Sequence, residues 1–483
     1  MIWEVLSLFF MNLCAGLVFI NEGLFHCDSV ALARAVEVTY QTGQLQPAVA
    51  GRYGAVIINS ILYFPFFLLG DNADFLTRFS SILFHSLSIV ALYLFIVEFL
   101  GDRVVALFGA LLFSATPLYF MPNTYGKEHG MAMFFFLFSF YSLLRGCRKN
   151  SLFWVSLASV FMGISISVRE SILVMVPMFV LLAFSPAITT RPFAITIPKE
   201  KRELKWLSAL FLPLCCVLGT LFFTYLGDLC HRTLFVRDVS VAFYWGLLSP
   251  ALYHAMYDLE NTLGVFGVGC FVMGMTVLFS KENLFKVLFL FIWCMFILFY
   301  GNNRCYTPRY LDMIMVPLWI AVAYGIVWVY RLRSAVGIFL LSLFLTGMIL
   351  FMYPMLVFRH HYNGEKRFAA YVQGVTESNA IILGADDNSF IEYYAKRKTL
   401  GIPVNDFNSM DAFLDEVSVY VRQGVPVYLM GSLRMYDEQG IFWKKIAERL
   451  NLFQVGKFLA EDFHRPERKL QTYYEGLYRV FIK

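Results

Sequence analysis

Three short polar stretches interrupt a strongly apolar chain, and they hold the side chains able to do chemistry. The first, HCDSVALARAVE (26–37), places Asp28 directly behind the first long apolar run and ahead of a segment with helical spacing. A carboxylate there can act as a general base or orient a substrate at a membrane-surface cleft. It can equally cap the helix that follows by accepting a backbone N–H. The second, PNTYGKEHGMAMFFF (122–136), sets Lys127, Glu128 and His129 together between two apolar runs. These residues either mark a water boundary, with Glu128 favoured by the dipole at a helix start, or share acid, base and leaving-group roles with Asp28. The third, GNNRCYTPRYLDMIMVP (301–317), carries Arg304, Arg309 and Tyr310. They read either as interfacial anchors or as a phosphate-binding group, because the guanidinium fork matches phosphate oxygens. Arg169, Arg52 with Tyr53, and His231, Arg232 and Arg237 add further cations.

Several chemistries lack their marks. There is no GxxxxGK[ST], HExxH, GxGxxG, or GxSxG in a strand–turn–helix setting, which leaves nucleotide hydrolysis and zinc-peptidase chemistry without support. The nine cysteines form no CxxC pair, and five of them lie in apolar runs, the pattern of small buried hydrophobes. The basic residues are scattered through short loops without interleaved aromatics, which argues against nucleic acid as a partner.

The elements that must position these residues are membrane helices. A mean hydropathy of +0.64 with only 15% charged residues describes a polytopic membrane protein. Apolar runs long enough to cross occur at 2–20, 75–99, 104–121, 130–146, 151–168, 171–184, 206–226, 261–280, 284–300, 311–330 and 335–357. The first has no basic n-region or small-residue cleavage site and reads as a retained span. The run at 55–69 is shorter and contains Asn59 and Pro65. Basic residues decide whether it crosses. If it does not, Arg103, the Arg145/Arg148/Lys149 group, the cluster from Arg191 to Lys205, Lys281 with Lys286, and Arg331 with Arg333 all fall on the cytoplasmic side. The expected topology is therefore about eleven spans with the N-terminus inside and outer juxtamembrane helices at about 28–70. Asp28 and Glu128 then share the extracytoplasmic face.

From residue 359 the composition changes, with frequent charges and no further apolar run long enough to cross. AIILGA (380–385) and VPVYLMG (425–431) read as short buried strands, and SFIEYYAKRK and SMDAFLDEVSVYVRQG have helical spacing. The expected division is a transmembrane domain over 1–358 and a small soluble extracytoplasmic α/β domain over 359–483.

Taken in order, HCDSVALARAVE, GRYGAVIINSILYFPFFLLG, SATPLYFMPNTYGKEHGMAMFFFLFSFYSLL, GISISVRES and YTPRYLDMIMVP resemble the GT-C membrane glycosyltransferases. The likeness is greatest to the protein O-mannosyltransferase and aminoarabinose-transferase branch and covers roughly residues 1–330. It implies a polytopic α-helical fold and transfer of a sugar from a polyprenyl-phosphate carrier to a protein, lipid or glycan acceptor at the extracytoplasmic face. Asp28 takes the place of the first-loop acid, the leading catalytic candidate of that class. Glu128 takes the place of the second-loop acid, usually an aspartate, and Arg52 lies near the basic residue that relatives carry before the outer hairpin. Ser29 stands where many relatives have a second acid, and the WWD of the oligosaccharyltransferase branch is absent.

The resulting expectation is an inverting glycosyltransferase of the inner or cell membrane. Asp28 serves as base, Glu128 with Lys127 and His129 orients substrate, and Arg304 and Arg309 with Arg169 hold the carrier phosphate. Tyr310, Arg52 and Tyr53 belong to the same binding group. No cofactor is marked, and a divalent metal is left open. Two alternatives stand beside it: a transporter or flippase of a lipid-linked anion, which calls for charges within spans and paired broken helices, and a ligase or polymerase using a carrier diphosphate.

Overall fold

The computed structural model describes residues 1–48, 52–69, 73–183, 264, 267–279, 284–301, 312–384, 389–404, 406–433, 437, 439–463 and 470–483. Chain contacts divide it into two units, one of 1–20 with 35–357 and one of 21–34 with 358–483. The sequence boundary gave 21–34 to the membrane part, whereas in the structure this segment clusters with the tail.

The first unit is helical. Its elements are α1 (Ile2–Val18), the second half of α2 (Cys27–Thr42), α3 (Tyr53–Leu68), α4 (Ala73–Leu100), α5 (Arg103–Ser114), α6 (Pro117–Thr124), α7 (His129–Lys149), α8 (Leu152–Val168) and α9 (Val176–Ala183), the last preceded by a 3-10 segment, Glu170–Met175. Helices α10 (Gly267–Leu278), α11 (Leu284–Gly301), α12 (Asp312–Leu332) and α13 (Ser334–His361) complete it. Among the described residues four helices are long and apolar enough to cross a membrane: Ala73–Leu100, His129–Lys149, Met315–Leu332 and the continuous run Ser334–Val375. The pair α5 and α6 qualifies jointly but bends by 58°. Pro117 at the first position of α6 explains the break, because proline restricts the residue before it to extended backbone, and Thr116 is extended. The run at 206–226 lies outside the described residues.

Helix ends follow local chemistry. The Asp102 carboxylate accepts the N–H groups of Val104 and Val105 and starts α5. Asn150 ends α7 in the left-handed conformation, with Arg148 and Lys149 in the last turn where the helix dipole favours cations. Helix α4 packs against α1, α5 and α7, and α7 in turn against α8. Rings of α4, α7 and α11 interlock around Phe95, Phe136, Phe140 and Trp293. Gly274 and Gly325 permit close helix crossing: a Cβ at Gly274 would lie 1.9 Å from the Ala321 carbonyl oxygen, and one at Gly325 would meet the Cys270 carbonyl oxygen. Helix α3, the run of ambiguous crossing, buries Tyr53, Ala55, Val56, Asn59 and Tyr63 and exposes Ile57, Ile61 and Phe64, an apolar outer face suited to lipid.

The second unit is built on a five-stranded sheet in the order β2-β1-β3-β5-β4, comprising β1 (Ile381–Gly384), β2 (Lys398–Gly401), β3 (Val427–Met430), β4 (Leu450–Phe463) and β5 (Leu470–Ile482). Strand β1 runs parallel to β2 and β3, and β5 is antiparallel to β3 and β4. Strand periodicity sends Ile381 and Leu383 into one core with α15 (Met410–Arg422) and α16 (Ile441–Arg449). It sends Ile382 into a second core with α14 (Gly364–Val375) on the other face. The strands expected at 380–385 and 425–431 form as β1 and β3, and SFIEYYAKRK contains a single π-helical turn, Ile391–Ala395.

Candidate active site

In the first unit the loop between α6 and α7 is fixed from below. Asn123 accepts the Gly130 N–H through Oδ1 at 2.9 Å and donates through Nδ2 to the Tyr119 carbonyl at 2.6 Å. The Ser81 hydroxyl, on α4, donates to the Lys127 carbonyl. Gly130 allows this seating, since a Cβ there would lie 2.7 Å from both Asn123 Oδ1 and the His85 backbone nitrogen. Lys127, Glu128 and His129 are consequently all buried.

Glu128 stands at the residue before α7 without a side-chain capping bond, and Arg52 stands at the start of α3. Arg52 Nη1 donates to Glu128 Oε1 at 2.6 Å, with 11% and 2% of the two side chains exposed. Arg169 sits in extended backbone at the end of α8, its Nε donating to the Ser171 hydroxyl at 3.0 Å. Burial alone would raise the Glu128 carboxyl, but Arg52, then Lys127, His129 and Arg169, pull it down to about 2. Glu128 therefore pairs with Arg52 and feels the charge of Lys127, His129 and Arg169, all buried, a group in which basic side chains outnumber the one carboxylate and favour an additional anion. Tyr53 is buried in the first turn of α3.

In the second unit Asp28 is the second residue of α2, so the cap position belongs to His26. The Asp28 backbone N–H donates to His26 Nδ1 at 3.1 Å, and the Val30 N–H donates to the His26 carbonyl. This overturns the reading of Asp28 as the cap. Its carboxylate, 8% exposed, lies 3.7 Å from His26 Nδ1 and accepts from the Cys27 thiol at 3.6 Å. Donor atoms of His26, Cys27 and Asp28 fall within 4.8 Å of one another, the spread of a small metal site. The Nδ1 lone pair, however, already receives the Asp28 N–H, and a metal on Nδ1 would displace that bond. The tripeptide fits a hydrogen-bonded helix start better than a resident metal.

Arg304, Arg309 and Tyr310 lie outside the described residues, as do His231, Arg232 and Arg237. Asp28 falls in one unit and Arg52, Tyr53, Lys127, Glu128, His129 and Arg169 in the other. Sequence reasoning passed over His26 as the cap and Asn123 as the pin of the second loop, although both stood inside the quoted stretches.

The chain matches the family model described as dolichyl-phosphate-mannose-protein mannosyltransferase over residues 58–223. No curated protein matches its sequence. Among solved structures it is similar to ArnT from Cupriavidus metallidurans bound to undecaprenyl phosphate, at a TM-score of 0.67 and 13% identity, covering 98% of this chain and 97% of that one. The oligosaccharyltransferase AglB from Archaeoglobus fulgidus, in complex with an inhibitory peptide and a dolichol-phosphate, matches at 0.58 and 12% over 98% and 74%. The arabinofuranosyltransferase AftD from Mycobacteria matches at 0.52 and 11% over 98% and 40%. The solved structures share the fold, and the family model adds a sequence signal within the helical part that carries Glu128 and Arg169. With both in hand, the chain has the fold of the GT-C membrane glycosyltransferases and carries a mannosyltransferase family signal over residues 58–223.

Proposed function

We propose that the protein transfers a sugar from a polyprenyl-phosphate carrier to an acceptor at the extracytoplasmic face, with inversion at the anomeric carbon. The observation that carries this reading is the buried Arg52–Glu128 pair, with Lys127, His129 and Arg169 also buried and acting electrostatically on the same carboxylate. A carrier phosphate gains negative charge as its bond to the sugar breaks, and preorganised cations in a water-poor site stabilise that gain. The donor class is supported by the carriers bound to ArnT and AglB, which are polyprenyl phosphates in both cases.

In the reaction the acceptor hydroxyl oxygen attacks the anomeric carbon while Asp28 takes its proton. The bond from that carbon to the phosphate oxygen breaks, and the carrier leaves as its monophosphate. Arg52, Lys127 and Arg169 receive the phosphate charge, with His129 and Tyr53 lining the same group. Arg304, Arg309 and Tyr310 complete the phosphate contacts. Glu128 is engaged by Arg52 in a buried ion pair, and its role is to fix that guanidinium. The topology that accompanies this has about eleven spans, an N-terminus inside and the tail outside.

The test is sugar transfer in membrane vesicles from a panel of radiolabelled short-chain polyprenyl-phosphate sugars, with Asp28→Asn beside the wild type. Transfer that collapses in Asp28→Asn while donor binding persists supports both donor class and base. Release of carrier diphosphate would assign the protein to the ligase class, and movement of carrier between leaflets without transfer would make it a transporter.

A further inference from the structure

The segment ahead of Asp28 has no regular secondary structure from Asn21 to His26, yet Leu24 within it is fully buried. Buried peptide groups outside helices and sheets need partners from elsewhere. Leu24 finds both in the tail: its N–H donates to the Tyr394 hydroxyl at 3.0 Å, and its carbonyl accepts from Asn363 Nδ2 at 2.9 Å. Asn363 is itself fixed, because its Oδ1 accepts the Lys366 N–H and starts α14, which leaves Nδ2 facing Leu24. Gly23 is packed against the same side chains: a Cβ there would lie 2.7 Å from Lys366 Cδ and 3.1 Å from the Tyr394 hydroxyl. On one side Glu22 binds Arg367 at 3.1 Å and the Asn363 N–H at 2.7 Å, and on the other the Phe25 ring lies 3.8 Å from the Arg359 guanidinium.

We infer that Asn363 and Tyr394 are positioning residues for glycosyl transfer: by holding both polar groups of the Leu24 peptide they set the start of α2 and, through it, the Asp28 carboxylate. This rests on the reading of Asp28 as the base. Displacing a catalytic group by about 1 Å costs on the order of a hundredfold in rate, so a loop without secondary structure needs such a brace if it carries the base. The tail is then part of the catalytic device in addition to any role with the acceptor.

Two variants separate the brace from folding. Asn363→Asp keeps an oxygen for the Lys366 N–H and removes the donor to Leu24, while Tyr394→Phe keeps the ring stacked on Phe390 and removes the hydroxyl. Full-length protein in vesicles is assayed with the radiolabelled polyprenyl-phosphate sugar that supports transfer, and amide exchange is followed over 21–28. Each variant is expected to lower the rate at saturating donor about tenfold or more with the donor KM within about twofold, to speed exchange at Leu24, and to add no further loss to residual activity in an Asp28→Asn background. Wild-type rates in both folded variants, with Asp28→Asn inactive, overturn the brace alone. An equal loss in the Asp28→Asn background also overturns it. Full activity of Asp28→Asn removes the base assignment itself.

Discussion

Arg52 Nη1 and Glu128 Oε1 meet at 2.6 Å, joining the start of α3 to the start of α7 across 76 residues of sequence. Both side chains are withdrawn from water, so the pair is a constraint on geometry more than a source of net stability. Removing one partner leaves the other buried and uncompensated. Glu128→Ala should therefore lower stability by about 3–5 kcal/mol, read as a melting-point drop in detergent, and also weaken donor binding as Arg52 loses its orientation. A variant that melts like the wild type and binds donor equally well would show that the pair constrains nothing.

The same carboxylate makes a pH prediction. Burial opposes ionisation of Glu128, but Arg52 and its cationic neighbours hold it near 2, below its ordinary value of 4.5. A depressed carboxyl contributes stability that is present above the unfolded value and lost as pH falls toward the folded one. The Glu128 contribution should be complete above about pH 4.5 and fade between there and about 2, with none of the change near neutrality. Melting curves across that acid range should show the loss in wild type and a smaller one in Glu128→Gln. Any neutral limb in the transfer rate must then belong to another group.

His26 offers a sharper separation of cap from chemistry. Its Nδ1 accepts the Asp28 N–H, and loss of an N-cap acceptor costs about 1 kcal/mol. His26→Ala should lower both stability and transfer, whereas His26→Asn, which supplies a side-chain acceptor at the same position, should restore much of both. Failure of asparagine to rescue, with the helix start intact by amide exchange, would show that the imidazole does more than cap.

The sequence made the helical membrane part readable because long apolar runs need no tertiary knowledge. Phe95, Phe136, Phe140 and Trp293 pack as that pattern requires. Short buried strands such as IILG and VYLM were legible for the same reason. The hairpin of β4 and β5 was not: it exposes Phe453, Val455 and Leu459, breaks register between Gln454 and Gly456, and so lacks clean alternation. At the site, residue types in HCDS and GKEHG announced candidate chemistry. The pairing of Arg52 with Glu128 and the burial of Leu24 by Asn363 and Tyr394 depend on contacts 76 to 370 residues apart, and no local pattern carries those.

Gly130 tests whether the second loop must sit where it does. A methyl group there would approach the His85 backbone nitrogen and Asn123 Oδ1 to 2.7 Å each, and the backbone neighbour cannot move aside as a side chain can. Gly130→Ala should force α7 away from α4 at its first turn, costing about 1–3 kcal/mol in overpacking. It should also break the Asn123 bond to the Gly130 N–H that seats Glu128. Transfer should fall more than stability, because the cationic group depends on the placement of that turn. Ser81→Ala removes a different support of the same loop, the bond to the Lys127 carbonyl, without adding volume. A parallel loss of transfer in both variants would tie activity to the seating of the loop, and normal transfer in both would release Glu128 and its cations from any part in catalysis.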